Sequence, residues 1–349
     1  MLYYSLTHIC IILSLITFIK NIMDEKHKLL KKYIKEANSI LILSHLGPDP
    51  DAFCSMLLLK EAIKQIYPNK VVKIKAKQMP NFNIPTMKDI EVVEKLEEGE
   101  EDLIVVVDIP NLSVCVDNSD PLKDTNTPIM VIDHHPEGLE TVPDITINEG
   151  RSAAAEQVYI TIKRIFGGKL NITKEMAEIA QYGIISDTSR FMYQSTTPET
   201  FRIFAELREI FEVDIENFSY NSQKFPAGSL PLIVKLIENL QIENDMAYTY
   251  LNGEDNDDVT SRNEAYRFFR DNVLRYIQGV HWGFIVKARK EDNLWGVSFR
   301  STKGYQKVKN LAEALNGGGH ELAAGAETEA ETIEEAIDNV LKVINKLKN

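Results

Sequence analysis

The sequence predicts an α/β fold: a parallel-sheet domain joined by a helical linker to a smaller α/β domain. Three observations carry that reading. Apolar runs at residues 40–43, 71–74, Leu103–Val107 and Ile129–Ile132 have the length and composition of buried strands. Stretches with helical spacing at residues 26–37, 52–67, 153–166 and 174–184 flank these runs, and strands alternating with helices imply parallel pairing through right-handed crossovers. The length, 349 residues with 44% hydrophobic and 26% charged side chains, suits two globular domains better than one.

The boundaries follow from composition. Residues 1–22 are an apolar extension ending near Lys20, readable as a membrane anchor or as a start-site artefact ahead of Met23. It has no small-residue cleavage site of the secretory type. Residues 23–205 form the parallel-sheet domain and 206–240 a helical linker interrupted by Pro226, Gly228 and Pro231. Residues 241–349 form the second domain, with strand-like runs at 247–251, Trp282–Ala288 and 294–299 and an arginine-bearing helix at 264–277. Its last helix opens on a capping box of Thr332 and Glu335 and carries the apolar stripe Ile333, Ile337, Leu341, Ile344 and Leu347.

The net charge of −13 argues against wrapping long duplex DNA, which needs a broad basic surface, but allows a short phosphorylated substrate in one locally positive cleft. The three cysteines, Cys10, Cys54 and Cys115, form no CxxC pair, which fits a reduced, cytoplasmic setting.

The chemistry gathers where strands end. His45, Asp49 and Asp51 follow the first strand on a Gly/Pro-shaped turn, Asp108 follows the third, and Asp133, His134 and His135 follow the fourth. Open parallel sheets bind ligands beyond the carboxyl ends of their strands. Oxygen donors mixed with imidazole suit Mn²⁺ or a similar divalent ion, although Asp49 or Asp51 could instead be an ordinary helix cap. Asp187, in Gly183-Ile-Ile-Ser-Asp-Thr, could cap a helix or complete a second ion site. Six candidate ligands, His45, Asp49, Asp51, Asp108, His134 and Asp187, make two sites if Asp108 bridges. Two ions about 3.5–4 Å apart can clamp a phosphate and activate water. In the second domain, Gly317-Gly318-Gly319-His320 offers backbone N–H groups to an anion, though such a run can also be a flexible hairpin turn. A basic stretch precedes it (Lys287, Arg289, Lys290, Arg300, Lys303, Lys307, Lys309), with Arg300 the best placed for bidentate phosphate contact. Arg262, Arg267, Arg270 and Arg275 sit among aromatics, and an ordinary amphipathic helix is favoured over a nucleic-acid face.

Together these segments resemble the DHH phosphoesterase superfamily, in its RecJ-like and nanoRNase-like branch with a DHH domain and a DHH-associated C-terminal domain. His45 to Ser55 is similar to H-x-N-P-D-x-D-A-x-G-S, Asp108 to the strand-end Asp, Asp133-His134-His135 to the motif that names the family, and Asp187 to the Asp of G-I-x-x-D-T. Ser298-Phe299-Arg300-Ser301 and Gly317 to Gly325 match S-x-R-S and G-G-G-H-x-x-A-A-G. The resemblance spans about residues 38 to 326. It departs at Gly47, where the family has Asn, and at Cys54, where it has Gly.

The resemblance implies a phosphodiesterase that hydrolyses short oligonucleotides to 5′-mononucleotides, with two Mn²⁺ ions for which Mg²⁺ or Co²⁺ could substitute. His45, Asp49 and Asp108 would hold one ion, and Asp51, Asp108, His134 and Asp187 the other. His135 would contact the scissile phosphate and Asp133 would orient the imidazoles. Ser298, Arg300, Gly318, Gly319 and His320 would grip the substrate from the second domain across an interdomain cleft, and the segment from Ser152 to Glu156 flanks the site. The alternative substrates are a cyclic dinucleotide such as cyclic di-AMP or its linear product, 3′-phosphoadenosine 5′-phosphate, or a longer single strand of RNA or DNA as for RecJ. A catalytically dead scaffold is the alternative of another class. A homodimer is possible, and the membrane is a partner only if residues 1–22 are an anchor.

Overall fold

The computed structural model describes residues 6–80, 82–95, 101–109, 112, 115, 122, 125–135, 146–252, 258–274, 276–288 and 293–348. Side chains are described from residue 21 onward, those of His320 and Lys348 excepted. Two compact units divide between Ser222 and Gln223.

The first unit is built on a six-stranded, wholly parallel sheet. After helix α1 (Leu6–Glu36) come β1 (Ser39–Leu43), α2 (Pro50–Ile66), β2 (Val71–Ala76), β3 (Ile90–Val92), β4 (Leu103–Val107), β5 (Ile129–Ile132) and β6 (Thr146–Ile147). The spatial order is β3-β2-β1-β4-β5-β6. The chain therefore winds outward from β1 in one direction and from β4 in the other. That reversal opens a crevice between the carboxyl ends of β1 and β4, where ligands bind in sheets of this kind. All five residues of β4 are buried, each worth roughly 1.5–3 kcal/mol in apolar transfer. The pleat sorts them: Leu103, Val105 and Val107 join the larger core, while Ile104 and Val106 face a smaller one with Leu41, Leu43 and Val131.

The larger core lies under α1, α2, α3 (Ala154–Phe166) and α4 (Lys174–Asp187). Helix α1 reaches it through Leu30 and Ile34. The anchor or artefact expected at residues 1–22 falls on residues 1–5, outside the described residues, and on a helix whose side chains up to residue 20 are also outside them. Among the described residues no helix is long and apolar enough to cross a membrane. Helices α5 (Pro198–Ile210) and α6 (Ile215–Gln223) complete the unit. Thr197 caps α5 in a reciprocal box with Thr200, and Pro198 takes the first helical position, where a missing N–H costs nothing.

The second unit holds α7 (Ser229–Glu238), β7 (Gln241–Glu243), β8 (Met246–Leu251), α8 (Val259–Asn272), β9 (Trp282–Ala288), β10 (Leu294–Ser301), α9 (Val308–Glu313), β11 (Gly318–His320), β12 (Ala323–Glu329) and α10 (Ile333–Lys348). Its sheet has the order β11-β12-β10-β9-β8-β7 and is antiparallel except for β8 with β9. The stretch expected as one helical linker is shared between the units, α6 in the first and α7 packed through Leu232, Ile233 and Leu236 into the core of the second.

Three local expectations shift. The arginine helix begins earlier, at Val259 behind the Asp258 cap, and ends at Asn272. The glycine run is no hairpin turn: Gly318–His320 is a strand paired to β12. In α10 the reciprocal bond of the capping box goes from the Glu331 N–H to Glu335, one residue early, and Leu347 falls off the stripe, 51% exposed.

Candidate active site

At the crevice, each acid owes its position to a backbone device. Asp108 continues β4: its N–H still donates to the Ile132 carbonyl at 3.1 Å. It then turns left-handed (φ 56°), a conformation that Asp tolerates better than most residues. Asp133 likewise donates to the Ile147 carbonyl at 3.0 Å. Asp49 caps α2, accepting from the Ala52 N–H at 3.0 Å, as the helix-cap alternative expects. Asp51, 1% exposed in the first turn of α2, accepts from the N–H groups of Ala154 (2.6 Å) and Ala155 (3.0 Å) at the start of α3. Asp187 is the last residue of α4.

The side chains converge. Donor atoms of His45, Asp49 and Asp108 lie within 4.8 Å of one another, as do those of Asp51, His134 and Asp187, and those of Asp108, His134 and His135. His134 Nε2 is 3.4 Å from Asp108 and 3.7 Å from Asp187. His135 donates from Nδ1 to Asp133 Oδ1 at 2.8 Å, and its N–H donates to the other oxygen at 3.2 Å. The carbonyl of His135 accepts from Asn148 at 2.7 Å, and its ring lies 4.5 Å from that of His134. All six predicted ligands, with Asp133 and His135, are thus in one place.

The electrostatics fit a cation there. Burial and the neighbouring Asp108 and Asp187 charges push Asp51 well above the carboxylate range. Burial lifts Asp187 to about 6 against the pull of His134. Burial opposes charge on His134, but its bond to Asp108 and the Asp51 and Asp187 charges outweigh that and raise it to about 10. Four carboxylates this close repel one another, and a divalent ion relieves that repulsion while using the oxygen and imidazole donors present.

Sequence reasoning marked the stretches holding Gly183 and Ser152 to Glu156 but not the role of either, nor the part of Thr200 beside Glu156. A Cβ on Gly183 would meet Ala155 Cβ at 2.4 Å and Asp51 Oδ1 at 2.7 Å, so only glycine lets α4 pass this close to the acid. The G-I-x-x-D spacing held that signal.

In the second unit, Ser298 and Arg300 alternate onto one face of β10. Ser298 pairs with Gly325, which pairs with Gly318; Arg300 pairs with Ala323, which pairs with His320. The glycines are not equivalent. Gly319 (φ 135°) has no room for a Cβ, which would lie 2.6 Å from Ala324 Cα, whereas a Cβ on Gly318 would meet nothing within 4 Å. His320 is placed through its backbone alone, in β11. In the basic stretch, Lys307 pairs with Glu321 at 2.7 Å and Lys287 lies over the Tyr266 ring, while Arg289 and Lys290 lie outside the described residues. Arg267 pairs with Glu264 and Arg270 with Asp271, and Tyr266 and Phe269 are buried, as an ordinary amphipathic helix requires. Arg275 lies outside the described residues.

Residues 39–184 match the DHH family, N-terminal domain, and residues 245–347 the DHHA1 domain. The chain is 29% identical over 296 residues to the bifunctional oligoribonuclease and PAP phosphatase NrnA of Bacillus subtilis, covering 83% of this chain and 89% of that protein. Its structure is similar to that of an exopolyphosphatase-related protein from Bacteroides fragilis (TM-score 0.77, 25% identity, 93% and 96% of the two chains). It shares the fold of RecJ from Thermus thermophilus, solved in complex with Mn²⁺ (TM-score 0.58, 14% identity, 93% of this chain and 54% of that one). The chain belongs to the DHH phosphoesterase superfamily, with a DHH domain followed by a DHHA1 domain.

Proposed function

We propose that this phosphoesterase hydrolyses short single-stranded oligonucleotides to 5′-mononucleotides and removes a phosphate from 3′-phosphoadenosine 5′-phosphate, using two Mn²⁺ ions, with Mg²⁺ or Co²⁺ as substitutes. One observation carries this: two donor triads, His45–Asp49–Asp108 and Asp51–His134–Asp187, meet at Asp108, which lies 3.4 Å from His134. The relative named for both activities supports the choice of substrates. Cys54 and Cys115, both free and buried, accord with a reduced, cytoplasmic setting.

In this reading His45, Asp49 and Asp108 hold one ion, and Asp51, Asp108, His134 and Asp187 the other. When bound, the pair neutralises phosphate oxygens and lowers the pKa of water at the centre. Asp133 fixes the His135 ring through Nδ1, and His135 would meet the phosphate and pass a proton to the leaving oxygen. Burial opposes charge on His135, but the Asp133 bond together with the Asp133 and Asp108 charges outweighs it and raises its pKa, which keeps that proton available. Arg300 and Ser298, with the backbone of Gly318, Gly319 and His320, receive a non-scissile phosphate or the chain end.

The test is turnover on a panel with Mn²⁺: 5′-labelled RNA and DNA of two to 24 nucleotides, cyclic di-AMP, and 3′-phosphoadenosine 5′-phosphate. We expect turnover to fall steeply beyond about five nucleotides, because a net charge of −13 disfavours holding a long phosphate chain. Equal or faster turnover of the 24-mers would replace this reading with a RecJ-like exonuclease.

A further inference from the structure

The polar residues around Glu156 form a buried unit, and among the described residues none of their side chains hydrogen-bonds to a proposed ligand. Ser152, Glu156 and Thr200 are all 0% exposed. One Glu156 oxygen, Oε2, accepts from the Ser152 hydroxyl (2.5 Å), the Ser152 N–H (3.3 Å) and the Thr200 hydroxyl (2.9 Å). Its other oxygen, buried and without a hydrogen bond, lies 3.7 Å from Arg151, which also pairs with Glu149 (2.9 Å) and Glu199 (2.7 Å). A fully buried carboxylate is costly, and one gathered by an arginine and three donors is a specific construction.

Its geometry controls two things. Ser152 and Glu156 bracket the first turn of α3, whose N-cap, Ala153, offers no side-chain acceptor. The orphan N–H groups of Ala154 and Ala155 are capped instead by Asp51, from another helix. Thr200 belongs to the capping box of α5, and the chain runs only ten residues from Asp187 to the cap Thr197. Glu156 therefore ties the start of α3, which aims at Asp51, to the start of α5, which anchors the segment leaving Asp187.

We infer that Glu156, with Ser152 and Thr200, is a positioning unit that sets the spacing of Asp51 and Asp187 and so selectively controls the ion held by Asp51, His134 and Asp187. The inference rests on the two-ion reading above. Among the described residues, no hydrogen bond joins the other triad, His45–Asp49–Asp108, to this unit, so its geometry is expected to depend on it far less. Asp108 spans both sites, so the effect is graded between them and not absolute.

The experiment is calorimetric titration of the whole metal-depleted chain with Mn²⁺, for wild type, Glu156→Gln, Thr200→Val, Ser152→Ala and the conservative Thr200→Ser, with melting temperatures of the metal-free proteins measured alongside. We expect two equivalents in the wild type. In Glu156→Gln and Thr200→Val one equivalent weakens by about tenfold or more, the range typical of residues that orient metal ligands. The other equivalent stays within about twofold, and kcat recovers when Mn²⁺ is raised to refill the weak site. Thr200→Ser binds like wild type. If Glu156→Gln fails to fold, Thr200→Val and Ser152→Ala carry the same comparison. Two unchanged equivalents in folded variants would overturn the positioning unit alone. Equal weakening of both, in step with a lower melting temperature, would reduce it to ordinary core structure and also overturn it. A wild-type protein that takes up no Mn²⁺ would overturn the two-ion reading and this inference with it.

Discussion

The two units reach their chemistry by opposite means. In the first, the candidate centre is dense and built on buried acids: Asp51, Asp108 and Asp133 are each 3% exposed or less, and every one is fixed by backbone bonds, while Asp49 lies exposed at its rim. In the second, the face carrying Ser298, Arg300 and Gly318 is made by leaving atoms out, with small residues paired across three strands and open space over Gly318. A centre that must hold like charges together needs rigidity from all sides. A surface that would receive a flexible phosphate chain, as proposed for this face, needs access. Substitutions should therefore act on ions and stability in the first unit and on substrate affinity in the second.

The largest expected effect is at Asp108. Asp108→Asn keeps a residue suited to the left-handed backbone and removes the shared charge, so turnover should fall by at least about a thousandfold and bound Mn²⁺ should drop in both equivalents, measured by kinetics and metal analysis. Activity close to wild type would end the shared-ligand assignment.

Next comes the ion's effect on stability. At Mn²⁺ a hundredfold above its dissociation constant, the folded state gains about 2.7 kcal/mol per site. The ion-free protein should show the opposite of ordinary acid sensitivity. His134, raised from 6.5 to about 10, stabilises fully below 6.5 and loses that contribution as pH climbs through 10. Asp187, raised from 3.8 to about 6, is a carboxylate whose burial penalises charge, so its contribution is also lost as pH rises from 3.8 through 6. Both signs predict that the contribution of these two groups to the melting temperature falls with rising pH without ions, while Asp108, held below the carboxylate range against burial by His134 and His135, acts in the opposite sense. Mn²⁺ should flatten or reverse that slope, because it binds the deprotonated donors. Parallel profiles with and without Mn²⁺ would contradict this.

Gly183→Ala against Gly318→Ala sharpens the comparison directly. The first forces a methyl to within 2.7 Å of Asp51 and should cost about 1–3 kcal/mol in chemical denaturation while weakening Mn²⁺ binding. The second meets open space and should leave both unchanged, with KM as the parameter that moves. Arg300→Lys should raise KM about tenfold with kcat nearly constant, since a point charge replaces a fork. The smallest effect belongs to Lys307→Ala: its exposed pair with Glu321 predicts an unchanged melting temperature and an unchanged KM.

Much of the first unit could be read from sequence because its signals are coarse. A run such as Leu103–Val107 is continuously apolar, and the acid that follows it, Asp108, stands out against it. What could not be read was carried by groups that sequence does not display. The partners of Asp51 are the N–H groups of two alanines, Ala154 and Ala155, and every residue has such a group. The need for glycine at 183 comes from three helices meeting, which no local pattern encodes. In the second unit, β11 and β12 are rich in glycine and alanine, residues depleted in strands, so pairing across the sheet overrides their local preference.

The order of strands has a consequence in time. Ser44 and Asp108, which meet at the crevice, are 64 residues apart, and the last acid of the centre is not made until residue 187. Parallel pairing over such separations is slow, since a long loop must close before any contact rewards it. A chain emerging during synthesis therefore carries scattered carboxylates that bind ions weakly, and hydrolytic power arrives late, after α4 has docked. Ion uptake would then report the completion of the fold.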